Sequence, residues 1–212
     1  MDRLSMNQVK EMILHMAQEI IDNKPYLTEV DSKIGDGDHG IGMETGFLHV
    51  KSVIEQKEYA SVNDLFMEVG MAMLNSMGGA SGVIFSAIFL GGQKDSGKAD
   101  ELAADEFASM MEKSLKLIKR RGKAEVGDKT MVDAFEPAVL AMSEHAAGKK
   151  DFVGMLSAGE AAAEQGMQAT KNYVARFGRA KSLMVRSIGF QDAGATSVYL
   201  MFRAMRKWAE KQ

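Results

Sequence analysis

Proline stands at only two places in this 212-residue chain, Pro25 and Pro137. A proline removes one amide donor and clashes with the preceding turn, so its scarcity leaves long stretches free to run as helix. The good helix formers Ala, Met, Glu, Lys and Leu are abundant. No long stretch alternates apolar and polar residues as a half-buried strand would. Val9, Met12, Ile13, Met16, Ile20 and Ile21 share one face at helical spacing, with Ser5 placed to cap the start and Asn23-Lys24-Pro25 to end the run. Similar patterns predict helices over about 42–56, from the Ser61-x-x-Asp64 capping box onward, and through Phe107, Met110, Met111, Ser114 and Ile118 to a stop at Gly122. Further helices are expected over 130–147, 151–170 and 193–210, and Val83 to Leu90 forms a short apolar segment. That makes about eight helices and no defensible strand, an all-α reading. No repeat or linker divides the chain, so 1–212 reads as a single domain.

Composition narrows the function classes. Lys plus Arg number 26 against 29 Asp plus Glu, a net charge of −3, which offers no electrostatic case for nucleic acid or an anionic membrane. No cysteine is present, so disulfides, thiolate metal sites and Cys nucleophiles are excluded. No apolar run approaches the ~20 residues that span a bilayer, and Met1 to Asn7 lacks the basic start and apolar core of a signal peptide. The expectation is a soluble, cytoplasmic protein. The 18 methionines read as core filler, because Met packs irregular gaps. His15, His49 and His145 read as ordinary helix-face residues, and no serine triad can be assembled.

Four polar, glycine-rich segments do not look like plain connectors. In Asp31-Ser32-Lys33-Ile34-Gly35-Asp36-Gly37-Asp38-His39-Gly40, three carboxylates within eight residues repel one another unless a cation sits among them. Glycine lets the backbone turn so that the carboxylates converge, and hard oxygen donors suit magnesium or calcium. Gly35-x-Gly37-x-x-Gly40 matches the dinucleotide fingerprint literally, but no strand precedes it and its aspartates would oppose a phosphate. An EF-hand fails too, with Ile41 where glycine is required and Phe47 where glutamate is required. The second segment, Met77-Gly78-Gly79-Ala80-Ser81-Gly82, opens an apolar helix and would expose backbone amides to an anion; close helix packing explains it equally well. The third, Arg121 to Met131, and the fourth, Gly178-Arg179-Ala180-Lys181 with Arg186 to Ala195, place basic residues beside glycines, as phosphate recognition requires. On alternate connections of a helical barrel, all four would meet at one rim. Gly92-Gln93-Lys94-Asp95-Ser96-Gly97-Lys98-Ala99 approaches a Walker sequence but lacks the final Ser or Thr. It reads as a flexible surface loop.

These residues, in this order, resemble the motifs of the dihydroxyacetone kinase L-domain family. Leu27-Thr28-Glu29-Val30-Asp31 leading into Ile34 to Gly40 is similar to its metal loop. Met77 to Gly82, Gly127-Asp128-Lys129-Thr130-Met131-Val132-Asp133-Ala134, Gly178-Arg179-Ala180 and Asp192-Ala193-Gly194-Ala195 are similar to its later motifs. The resemblance implies an eight-helix antiparallel up-and-down barrel with the nucleotide and metal site in the loops at one end. It implies that Asp31, Asp36 and Asp38 hold two magnesium ions. His39, Gly40, Ile41, Gly42, Gly79, Ala80, Ser81, Gly122, Thr130, Met131, Arg179, Asp192, Ala193 and Gly194 would surround ADP or ATP, with Arg179 the catalytic cation.

The implied chemistry is phosphoryl transfer to dihydroxyacetone held on a separate K subunit, with the bound nucleotide recharged by a phosphohistidine protein of the phosphotransferase system. A homodimer is a further possible assembly. A regulatory paralogue, or the nucleotide domain of a fatty-acid-kinase-like enzyme, are the alternatives. Three positions depart from the family's usual pattern. Gly42 stands where asparagine is usual, Lys181-Ser182-Leu183-Met184 where Ser-Tyr-Leu-Gly is usual, and Phe190 where histidine is usual.

Overall fold

A computed structural model describes residues 1–95 and 100–212 of the protein. Nine α-helices appear among the described residues: α1 (Met6–Asp22), α2 (Lys24–Ser32), α3 (His39–Ile54), α4 (Val62–Ser76), α5 (Gly79–Leu90), α6 (Ala104–Gly122), α7 (Val132–Gly148), α8 (Phe152–Ala169) and α9 (Ala193–Ala209). The all-α expectation holds. The helix beyond the expected eight is α2. Pro25 ends α1 as expected but also sits in the first turn of α2, where its missing N–H has no partner to lose.

One expectation needs correcting. Two short strands exist, β1 (Arg3–Ser5) and β2 (Glu101–Ala103), paired antiparallel with Leu4 opposite Leu102. Three residues are too few to show alternation in the sequence, yet Leu4 and Leu102 are both fully buried. The pair ties the start of the chain to the entry of α6. Ser5 then caps α1 reciprocally: the Gln8 amide donates to Ser5 Oγ at 3.3 Å and the Ser5 amide donates to Gln8 Oε1 at 2.9 Å. At α4 the box is one-sided. The Asp64 amide donates to Ser61 Oγ at 3.1 Å, while the Ser61 hydroxyl itself donates to the Asp64 carboxylate at 2.7 Å.

The loop after α5 has no regular structure over Gly92–Asp95, as expected. Asn63 brackets Lys94 within it, accepting its amide at 2.7 Å and donating to its carbonyl at 3.0 Å. A Cβ on Gly91 would lie 2.7 Å from Ser114 Cα, so α5 and α6 close tightly there. Ser96, Gly97, Lys98 and Ala99 of the Walker-like stretch lie outside the described residues.

Helix contacts follow chain order. From α3 to α9 each helix packs on the next, α1 packs on α3, and α9 returns to pack on α1. Between them lies one apolar core. Phe66 meets Phe89 and Phe107 at ring separations of 5.7 and 6.5 Å, Phe107 meets Phe152 at 6.0 Å, and Phe135 meets Phe202 at 6.1 Å. Met12, Met16, Met73, Met111, Met142 and Met205 fill the gaps among these rings, as expected of a flexible thioether. Each fully buried side chain of this size contributes about 1.5–3 kcal/mol, which fixes the helix axes and therefore the loops between them. No described helix is long and apolar enough to cross a membrane.

Candidate functional site

The acidic turn is built from its glycines outward. Asp31 lies in the last turn of α2, and its carbonyl accepts the Gly35 amide at 2.6 Å and the Ile34 amide at 3.1 Å. A Cβ at Gly35 would fall 2.3 Å from Asp31 Oδ1, so only glycine lets the turn pass beside that carboxylate. Gly40 does the same for α3, since a Cβ there would meet Thr28 Oγ1 at 2.3 Å and the Lys24 carbonyl at 2.5 Å. The two close approaches press the start of α3 onto α2. As a result Asp31, Asp36 and Asp38 each offer an oxygen within 4.8 Å of the others.

That gathering is electrostatically unfavourable as it stands. Partial burial, then the neighbouring Asp36 and Asp31 carboxylates, push the Asp38 carboxyl above its ordinary range, and Arg179 opposes them. Asp31 sits at a helix C-terminus, where a negative charge opposes the macrodipole. Asp38 occupies the N-cap position of α3, but its carboxylate makes no capping bond. A plain acidic cap is therefore not its role. Arg179 Nε contacts Asp36 Oδ2 at 2.8 Å, one cation against three carboxylates. An all-oxygen donor set with surplus negative charge fits a hard divalent ion such as magnesium.

His39 ties the acidic turn to two other helices. Its amide donates to Asp31 Oδ2 at 3.3 Å, its Nε2 lies 2.8 Å from Ser197 Oγ on α9, and its ring lies 5.8 Å from Phe85 on α5. Burial drives the imidazole pKa down to about 4 despite the nearby Asp31 carboxylate, so His39 is neutral at pH 7 and acts through hydrogen bonds. The start of α3 is thus tied to the second turns of α5 and α9. Gly79, Ala80 and Ser81 open α5 exposed and with no side-chain cap, leaving amides and a positive dipole end for an anion. Ile41 is exposed, and a Cβ on Gly42 would meet nothing within 4 Å; the space for a side chain there is open.

Two further approaches complete the group. A Cβ on Gly122 would lie 3.2 Å from Ile84 of α5, and one on Gly194 would lie 3.3 Å from Met131 Cβ. Asp192 caps α9, its Oδ2 accepting the Ala195 amide at 2.7 Å, and Ala193 is buried behind it. Burial raises the Asp192 carboxyl to about 7, with Asp133 adding to the rise and the Ala195 amide and Lys129 opposing it. Thr130 is held by its amide, which donates to Asp133 Oδ2 at 2.6 Å. Among the residues named from sequence, contacts join His39 to Asp31, Arg179 to Asp36 and Met131 to Gly194.

The DAK2 domain matches residues 33–207 of this chain, a span that takes in the last three segments and all of the first but Asp31 and Ser32. The chain belongs to the DAK2 domain family.

Among the curated relatives of this DAK2 chain is the PEP-dependent dihydroxyacetone kinase 1, ADP-binding subunit DhaL, of Listeria innocua serovar 6a. It is 38% identical over 188 residues, 89% of each chain. The PEP-dependent dihydroxyacetone kinase, ADP-binding subunit DhaL, of Escherichia coli K12 is 34% identical over 202 residues, 95% of this chain and 96% of that one. Among solved structures, the native dihydroxyacetone kinase of C. freundii superposes with a TM-score of 0.74 at 22% identity, over 94% of this chain and 34% of that one. The same kinase in complex with AMP-PNP and Mg2+ gives 0.73. The DAK2 chain spans about a third of the C. freundii polypeptide, and that likeness concerns the fold.

Sequence reasoning missed Ser197 and Phe85, which orient His39. Only the burial of a hydroxyl on the core face of α9 signals Ser197, and that needs coordinates. It also missed the pinning of the third segment by Asp133, whose two oxygens accept the Gly127 amide at 2.5 Å and the Thr130 amide at 2.6 Å. At Met184, where the family usually has glycine, the backbone holds φ 50° and ψ −127° inside the 3-10 segment Arg179–Ser187. That conformation suits glycine and strains methionine.

Proposed function

We propose that this chain is the magnesium-dependent, ADP-binding subunit of a PEP-dependent dihydroxyacetone kinase. The observation that carries the reading is the gathering of Asp31, Asp36 and Asp38 within 4.8 Å beside Arg179, in a chain whose full-length relatives are named as ADP-binding subunits of that kinase. The three aspartates would hold the magnesium, two ions in the fuller form of the proposal. Bound metal supplies neutralising charge to the phosphates. His39 to Gly42 and Gly79 to Ser81 bring two uncapped helix starts to the phosphate oxygens. Gly122, Thr130 and Met131 flank the nucleotide from the α6–α7 connection, and Asp192 to Gly194 from the start of α9. Arg179, which contacts Asp36, is the cation that would stabilise the transferring group, and a metal held by the aspartates would neutralise that carboxylate.

Phosphoryl transfer of this kind asks the protein chiefly for positioning and charge stabilisation, and these residues provide both. The acceptor is dihydroxyacetone presented by a separate K subunit. The donor that recharges the nucleotide is a phosphohistidine protein of the phosphotransferase system; a relative of Lactococcus lactis, 31% identical over 95% of this chain, is named as PTS-dependent. In this reading residues 1–212 are one unit, the helices form an eight-helix antiparallel barrel flanked by α2, a reading supported by the return of α9 onto α1, and the cytoplasm is its compartment. The test is reconstitution: the chain, magnesium, ADP, a K subunit, dihydroxyacetone and the phosphohistidine donor. Formation of dihydroxyacetone phosphate only when this chain is present is expected; its formation at the same rate without the chain overturns the proposal.

A further inference from the structure

Lys129 stands out among the charged residues because it is 2% exposed and has the left-handed backbone angle φ 62°. Glycine or asparagine would hold such a turn with less strain, so a lysine there is kept for its side chain. Its ammonium donates to the Thr170 carbonyl at 2.5 Å and to the Phe190 carbonyl. Those two carbonyls belong to segments that meet at the site. Thr170 opens the turn after α8, its Oγ1 accepts the Asp192 amide at 3.0 Å, and Phe190 is two residues before that same Asp192. On its own side Lys129 adjoins Thr130 and Met131, and Met131 packs on Gly194. One ammonium therefore sets the separation between Thr130-Met131 and Asp192-Ala193-Gly194. A cation buried this deeply is tolerated only when it is fully engaged, and here the Asp192 and Asp133 carboxylates add their attraction.

We infer that Lys129 is a positioning residue for the nucleotide, fixing the α6–α7 connection against the start of α9 without touching the ligand. The inference rests on the ADP-binding reading above. Loss of the outer partners that orient metal ligands typically costs about 10–100-fold in affinity; on the lower end of that scale, Lys129→Met is expected to weaken ADP binding by about 10-fold at saturating magnesium. Lys129→Arg, which keeps a buried cation with several donors, should recover most of that loss. Lys129→Gly removes the ammonium while easing the backbone, and separates the two contributions.

The measurement is calorimetric titration of ADP with magnesium into the full chain, alongside thermal melting. Arg206→Met, which removes an ion pair to Glu160 between α9 and α8, serves as a control for general destabilisation. The expected pattern is weakened binding in Lys129→Met and Lys129→Gly, recovery in Lys129→Arg, and unchanged binding in Arg206→Met. Wild-type affinity in a folded Lys129→Met or Lys129→Gly overturns the inference and leaves the ADP reading intact. Failure of both variants to fold also overturns it, by making Lys129 a residue of general stability. If the wild type itself does not bind ADP, the functional reading falls and takes this inference with it.

Discussion

Two groups of charges lie at the same end of the molecule and are satisfied in opposite ways. In the acidic turn, Asp31, Asp36 and Asp38 face one another with a single arginine for company, and two of the three are exposed. Around Lys129, the carboxylates of Asp133 and Asp192 are spoken for by backbone amides, and the ammonium by two backbone carbonyls. In the second group each charged side chain has a backbone partner; in the first, surplus negative charge is left over. A polar cluster that has consumed its own hydrogen bonds is framework, whereas one left with surplus charge of one sign is waiting for a counter-ion.

The largest effect should come from the unfinished cluster. Asp36→Ala removes a donor and frees Arg179, and steady-state transfer in the reconstituted system is expected to fall by about 100-fold or more. A fall below about 3-fold would break the contrast. Next is the hinge between the two groups. Ser197→Ala leaves His39 Nε2 without its partner, at a cost of about 1–2 kcal/mol in unfolding free energy, with a few-fold loss of ADP affinity by calorimetry.

The framework cluster makes a pH prediction whose sign is fixed. The Asp192 carboxyl is near 7 in the folded chain against about 4 when unfolded. Between those values the folded state holds more protons, so this group makes stability fall as pH rises from about 4 to 7. Asn also caps helices, so Asp192→Asn should keep the cap while removing that downward contribution. In chemical denaturation from pH 4 to 7 its stability should gain on the wild type as pH rises; parallel curves would contradict the assignment. The smallest effect concerns the strained segment between the clusters. Met184→Gly relieves the φ 50° conformation and should stabilise the chain by about 1 kcal/mol in urea titration, a gain that would vanish if the strain were not real.

Much of this was legible in the sequence because the decisive features are local. Helical spacing marked α1 and the α6 face through Phe107 to Ile118, and three aspartates spaced by glycines marked the acidic turn. What was hidden depends on distant partners. Pro25 reads the same whether it stops a helix or begins one, and only the packing of α3 on α2 through Gly40 decides. Strands of three residues, β1 and β2, carry no period. Lys129 looked like one more basic residue in a surface loop, because its burial is set by residues 41 and 61 positions away. The Gly92–Ala99 stretch reads as a flexible loop, and the hold of Asn63 on Lys94 within it is set 31 positions away.

The central claim is that the acidic turn binds metal and, through it, nucleotide. Calorimetric titration of ADP into the wild-type chain, with magnesium and again with the metal chelated, tests this most directly when Asp31→Asn/Asp36→Asn/Asp38→Asn is run in parallel. Binding that requires magnesium and disappears in the triple variant is predicted. Equal ADP affinity in the chelated wild type, or in the triple variant with magnesium, would contradict it.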